Sequence, residues 1–127
     1  MTPITREWIE KAEGDYAVVR RELRVRKDPN YDGVCFHCQQ CVEKYLKARL
    51  EEAGRHVPRT HDCEALLNDL LSLEPLWAPW KKTLARLSDY AVRLRYPGVT
   101  ATTAEARRAV KDSKAVRKEA RLSLGLN

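Results

Sequence analysis

Apolar side chains along most of this 127-residue chain recur at spacings of three and four, and no segment alternates as a β-strand does. Cap and turn signals divide the pattern into about five segments. Thr2-Pro3 can begin the first helix, and a Thr102-x-x-Glu105 capping box can begin the last. Short connectors between helices favour antiparallel neighbours. We therefore predict one all-α domain over residues 1–127, an up-and-down antiparallel bundle of about five helices.

Three of the four cysteines lie in the stretch VCFHCQQCVEKYLKARL, residues 34–50, with the spacing C-x2-C-x2-C. On a helix from about residue 33 to 53, Cys35 and Cys38 fall on the apolar stripe and Cys41 lies at its edge. Reduced cysteine behaves as a small apolar residue and fills close-packed positions well. We predict that these thiols belong to the core.

A metal site is the alternative for the same cysteines. An iron–sulfur run of this type needs a further cysteine four residues after Cys41, followed by proline, but Tyr45 and Leu46 occupy those positions. A zinc site needs a second ligand pair, which Cys63 and the later histidines would have to supply. We therefore expect neither a metal nor another cofactor.

The charge of +6 is unevenly distributed along the chain. Residues 1–64 carry 12 basic and 12 acidic side chains, whereas residues 65–127 carry 12 and 6. No apolar run is long enough to span a membrane, and the acidic, amphipathic residues 1–15 are unlike a secretory signal. We expect a cytoplasmic protein without a membrane partner.

A basic stripe on the last helix carries most of this excess. It is either a solvated surface or the contact face for an anionic partner, such as a nucleotide, RNA or an acidic protein. The stripe consists of Arg107, Lys111, Lys114, Lys118 and Arg121.

The segments FHCQQCVEKYLKARL, THD and YAVRLRYPG, together with Trp8, Ala12 and Asp15 in the first helix, resemble the HEPN domain (higher eukaryotes and prokaryotes nucleotide-binding). The resemblance covers nearly the whole chain. It implies a HEPN-like helical bundle that commonly forms homodimers. Many such domains are partners of a minimal nucleotidyltransferase in toxin–antitoxin-like pairs. Other members are metal-independent endoribonucleases with an Arg-x4-6-His motif.

Arg55 and His61, separated by five residues, match that catalytic motif in form. Histidine can transfer protons near neutral pH, and arginine can bind a phosphate. In ribonuclease members, however, the motif belongs to the later helical region, where this chain has YAVRLRYPG and no histidine follows. The structural alternative is that His61 helps to cap the third helix.

The segment YAVRLRYPG offers a second candidate site, with Tyr90, Arg93, Arg95 and Tyr96 at the end of the fourth helix. Guanidinium groups bind phosphate and tyrosine can stack on a base. The structural alternative is that Tyr96 and the following Pro-Gly end the helix, while Arg95 pairs with a neighbouring acid.

Gln40, Lys44 and Lys47 lie on the polar side of the second helix. One interpretation is that they converge with the arginine loop on a nucleotide. Alternatively, Lys44 pairs with Asp15 of the first helix and Lys47 with Glu43 one turn earlier.

The predicted function is a HEPN binding module, a partner of a nucleotidyltransferase rather than an enzyme, with nucleotide or RNA as a candidate ligand. The first alternative is an endoribonuclease that uses Arg55 and His61. The second is an interaction domain whose basic face contacts an acidic protein.

Overall fold

A computed structural model describes all residues from 1 to 127 and contains five α-helices and no strands. This confirms the all-α bundle. The 3₁₀ helix is the one element that the sequence pattern did not indicate. The elements are α1 (Pro3–Glu22), α2 (Tyr31–Glu52), α3 (Cys63–Leu70), a 3₁₀ helix (Pro75–Trp80), α4 (Lys81–Arg93) and α5 (Thr103–Ser123).

The helix starts follow the predicted caps. The hydroxyl of Thr2 accepts a hydrogen bond from the N–H of Thr5 at 3.0 Å. Thr102 and Glu105 form both bonds of the capping box. Helix α2 begins two residues earlier than predicted because the side chain of Asn30 caps it.

Helix α2 is the centre of the bundle, since α1, α3, α4 and α5 all pack against it. A helix with neighbours on most sides must be apolar around most of its circumference, and the small residues Cys and Ala let those neighbours approach closely. Three polar side chains on α2 are also buried, namely Gln39, Glu43 and Lys47. Each of them makes hydrogen bonds inside the bundle, as buried polar groups require.

All four thiols are free, fully buried and part of the apolar core. Burial raises the pKa of Cys35 and of Cys63 to about 12, because a thiolate is poorly solvated there. The prediction that the cysteines pack in the core is confirmed. No group of three or more His, Cys, Asp or Glu side chains is arranged to hold a metal ion.

None of the helices is both long enough and apolar enough to cross a lipid bilayer. The tryptophans serve packing: Trp77 and Trp80 stack with their ring centroids 4.9 Å apart. This stack lies in the 3₁₀ helix and joins α3 to α4.

Candidate functional site

The predicted cluster at the end of α4 is divided between two sides of the helix. The guanidinium of Arg93 donates to Glu105 of α5 at 2.6 Å and to Asp89 at 3.1 Å. It also lies 5.8 Å from the centre of the buried Tyr90 ring. Together these contacts fasten α4 to α5, and they leave Arg93 little capacity for a ligand.

Arg95 lies on the other side and has no carboxylate partner, since both ion pairs at the end of α4 belong to Arg93. The structural alternative for Arg95, pairing with a neighbouring acid, is therefore not realised. Its side chain lines a cleft of about 530 Å³ between α3 and α4. It also lines a second cleft of about 340 Å³ beside the start of α2, together with Phe36. Tyr96 is 63% exposed and lines neither cleft.

His61 lines the same large cleft as Arg95 and is held there by a buried carboxylate. Its Nδ1 lies 3.0 Å from Oε1 of Glu43. A carboxylate only accepts hydrogen bonds, so Nδ1 carries the proton in this contact and Nε2 remains available to a ligand. The side chain of His61 is 72% exposed, whereas that of Glu43 is 3% exposed.

Glu43 is fixed from two other directions. It accepts hydrogen bonds from Gln39 at 3.0 Å and from Lys47 at 3.1 Å. The Nζ of Lys47 also lies 5.4 Å from the centre of the Trp8 ring. The predicted Glu43–Lys47 pair is confirmed, and it is buried rather than solvated. Since its buried ammonium group is bonded to Glu43, Lys47 supports the histidine instead of facing a ligand.

The structure does not bring Arg55 and His61 together. The guanidinium of Arg55 donates to Oγ of Ser72 at 2.9 Å and to the carbonyl of Asp69 at 3.4 Å, at the C-terminal end of α3. His61 precedes the N-terminal end of the same helix. The cap of α3 is Asp62, whose carboxylate accepts from two backbone N–H groups, so His61 is not needed for that role.

Lys44 is bonded to α1. Its Nζ lies 2.5 Å from one carboxylate oxygen of Asp15, and Nδ1 of His37 lies 2.8 Å from the other. The predicted Asp15–Lys44 ion pair is confirmed. Gln40 donates to the side chain of Gln39 at 2.7 Å. The contacts of Gln40 and Lys44 are thus internal to the bundle, and neither residue lines a cleft with Arg95.

The large cleft contains acidic as well as basic groups. Asp62 is occupied with capping α3, and Asp89 is bonded to Arg93. Glu64 makes no ion pair. The cleft therefore offers one free guanidinium and one imidazole nitrogen beside carboxylate acceptors, a mixture that suits a ligand with both phosphate oxygens and hydroxyl or amino groups.

Two contributors to this site escaped the sequence interpretation. Glu43 was assigned to an ion pair, although the Gln39-x3-Glu43-x3-Lys47 spacing marks a polar row inside an otherwise apolar helix. Ser88 lines the cleft, and its hydroxyl accepts the N–H of Cys63 at 2.8 Å. Only the packing of α3 against α4 could reveal that contact.

The family model described as HEPN domain matches residues 5–122 of the chain. Comparisons with curated proteins and with solved structures give no significant match.

Proposed function

Since the chain belongs to the HEPN domain family, we propose that it is a binding module that partners a minimal nucleotidyltransferase in a toxin–antitoxin-like pair. We further propose that it binds a nucleotide in the cleft between α3 and α4. The family supports the partnership and the homodimeric state, and the acidic, amphipathic residues 1–15 support a cytoplasmic location. The observation that carries the nucleotide site is the unpaired guanidinium of Arg95 in a cleft with His61.

An arginine without a carboxylate partner is the group to which a phosphate binds most readily, because two N–H donors can meet two phosphate oxygens. Arg95 fits this role, whereas Arg93 does not, since Glu105 and Asp89 already occupy its donors. The imidazole of His61 supplies a second polar contact at the other wall of the cleft. Its orientation is set in advance by Glu43, so that binding loses little side-chain entropy.

The remaining groups favour a mononucleotide over a longer polyanion. Three carboxylates line the cleft beside Arg95, and they would repel a second and a third phosphodiester. Glu64 can instead accept hydrogen bonds from ribose hydroxyls or from an exocyclic amine. The cleft of about 530 Å³ falls within the size range of small-molecule sites.

Calorimetric titration with adenosine monophosphate and with adenosine tests the site. We expect the monophosphate to bind more tightly, and Arg95→Gln to weaken its binding about tenfold. Arg6→Gln is the matched control, because Arg6 is another exposed arginine without an ion pair and lies on α1. Equal affinity for the two ligands, or an unchanged affinity in Arg95→Gln, would contradict the nucleotide site.

The partnership is tested by a native pull-down of the tagged chain from its own cells with mass spectrometry. We expect a minimal nucleotidyltransferase in a stoichiometric amount. A homodimer recovered without that enzyme would refute the partnership, while the nucleotide titration would still decide the cleft.

The orientation of His61 also favours a second candidate function, that of a metal-independent endoribonuclease. An imidazole held through Nδ1 by a carboxylate presents Nε2 as a proton acceptor, as general-base catalysis requires. Cleavage of RNA in the presence of a chelator, lost in His61→Gln, would support this function. Comparison of Arg55→Gln with Arg95→Gln would then show which arginine acts with His61. Undiminished cleavage in His61→Gln would exclude the endoribonuclease function.

A further inference from the structure

Helices α1 and α5 both pack on α2 rather than closely on each other, which leaves a groove between the C-terminal half of α1 and the N-terminal half of α5. At one end, Arg117 of α5 makes two hydrogen bonds to Glu13, of 2.6 and 2.8 Å, and lies 4.2 Å from the centre of the Tyr16 ring. At the other end, Arg107 adjoins Leu23 in a small cleft of about 160 Å³. The two helices are therefore antiparallel, with the groove between these contacts.

Unpaired cations line both sides of this groove. Arg20 follows Tyr16 by one turn, so it lies on the side of α1 that faces α5. On α5, the basic side chains at 107, 111, 114 and 118 follow one another at spacings of four, three and four, which places them in one row. All of these side chains are exposed, and none has a carboxylate partner. They are Arg20, Arg24, Arg107, Lys111, Lys114 and Lys118, which we call the basic groove.

The carboxylates near the basic groove form no ion pair with its cations. Glu22 accepts the backbone N–H of Asn30, and Glu105 is bonded to Arg93. Asp28 and Glu119 are exposed without an ion pair. In contrast, Arg117 and Arg121 of the same helix are held by Glu13. The unpaired cations of α5 thus all belong to the basic groove.

An apolar notch lies at the end of the basic groove where α1 meets the start of α5. Leu23 and Val25 are 43% and 41% exposed there, and the half-buried Tyr31 forms the adjoining wall. Cations beside an aromatic ring are the combination that binds single-stranded nucleic acid, because phosphates contact the cations and bases stack on the ring. An acidic protein partner fits less well, since lysine is depleted in protein interfaces.

We propose that the basic groove binds a single-stranded polynucleotide, with its phosphates along α5 and the end of α1 and a base against Tyr31. This surface is separate from the cleft of Arg95. The mixed charge of that cleft suits one nucleotide, whereas the uncompensated charge of the basic groove suits a chain of phosphates.

Fluorescence anisotropy with a labelled oligouridylate of twelve nucleotides, measured between 50 and 300 mM KCl, tests the proposal. If all six cations engage phosphates, the slope of log K against log salt is about −4, from roughly −0.7 per contact. We expect Lys111→Gln/Lys114→Gln to reduce the magnitude of that slope by about 1.4. The control Lys81→Gln/Lys82→Gln removes the same charge from exposed positions of α4, and its slope should stay near that of the unmodified chain.

A second variant tests the notch. Tyr31→Leu keeps an apolar side chain but removes the stacking ring, so we expect affinity to fall at least about fivefold with an unchanged salt slope. Arg95→Gln should leave oligouridylate binding unchanged, which separates this proposal from the nucleotide cleft. Absence of binding at 50 mM KCl, equal losses in the α4 control, or equally tight binding of polyglutamate would overturn the proposal.

Discussion

Two groups of charged side chains in this bundle differ in how fully they are paired. Between α1, α2 and α5, Glu13 and Asp15 are each contacted by at least two donors, and we call this group the paired layer. In the cleft between α3 and α4, Arg95 has no partner and His61 uses only one of its two nitrogens. The same residue types thus hold helices together in the paired layer and remain available to a ligand in the cleft.

The difference teaches that pairing, more than residue type, separates structural charges from candidate binding groups. A paired and half-buried charge contributes to stability because its removal leaves a partner unsatisfied. An unpaired and exposed charge contributes little to stability, and its hydrogen-bonding groups stay free for a ligand. Each of the following variants tests one side of this contrast.

Asp15→Ala should have the largest effect. It leaves Lys44 and His37 without their shared acceptor in a region where the carboxylate is only 10% exposed. We expect the free energy of unfolding to fall by about 3 kcal/mol, measured by urea denaturation. Asp69→Ala is the control, because the exposed Asp69 side chain makes no ion pair, and it should change stability by less than about 0.5 kcal/mol. Similar losses in both variants would remove the contrast.

Glu13→Gln should cost less and should depend on pH. Burial raises the pKa of Glu13, but hydrogen bonds from Arg117 and Tyr45 lower it by more, so the folded pKa lies below the ordinary 4.5. A lowered folded pKa gives stability that is complete above the unfolded value and is lost as pH falls through the folded one. We expect a loss of roughly 2 kcal/mol at pH 7 that shrinks as both proteins are acidified below pH 4.5.

Thermal denaturation of Glu13→Gln and of the unmodified chain at several pH values measures this difference. Glu10→Gln, at an exposed position of the same helix, is the control. A stability difference that stays constant down to pH 3 would show that the carboxylate charge of Glu13 is not what the paired layer uses.

Arg93→Gln and Arg95→Gln form a matched pair two residues apart. Arg93→Gln removes the contacts to Asp89 and Glu105, so we expect a lower melting temperature, by less than in Glu13→Gln. Arg95→Gln removes no contact and should leave the melting temperature unchanged. The reverse order would show that Arg95 is structural and would undermine the candidate site.

His61→Gln should have only a small effect on folding. The side chain is largely exposed, so stability should change by less than about 0.5 kcal/mol in urea. Affinity for adenosine monophosphate should nevertheless fall by about fivefold, since one hydrogen bond to the ligand is lost. If stability falls and affinity does not, then His61 belongs with the paired layer.

Much of the fold follows from interactions between residues that are close in sequence. The Thr2 cap and the capping box at Thr102 act over three residues, so sequence reasoning located both helix starts. The 3₁₀ helix was missed because Pro75 and Pro79 act as breakers in a helix pattern, although proline is compatible with a single tight turn near a helix start.

The site was less accessible because it depends on which helices become neighbours. Arg93 is the last residue of α4 and Arg95 lies in the turn after it, so their side chains can diverge, but nothing local tells which of them meets Glu105. Charge sums had the same weakness. The zero balance of residues 1–64 concealed the cations at the end of α1. Only the antiparallel placement of α1 and α5 on α2 brings them beside the basic row.

The four core thiols have a consequence for kinetics. A thiol-reactive reagent can reach the cysteines only after the helices around them separate, because every cysteine is buried. Cys35 and Cys63 also stay protonated at neutral pH, and the thiolate is the reactive form. Their labelling rates therefore report how often the helices that cover each cysteine open. The same seclusion protects the folded chain from oxidation, so that damage by oxidants selects the unfolded molecules.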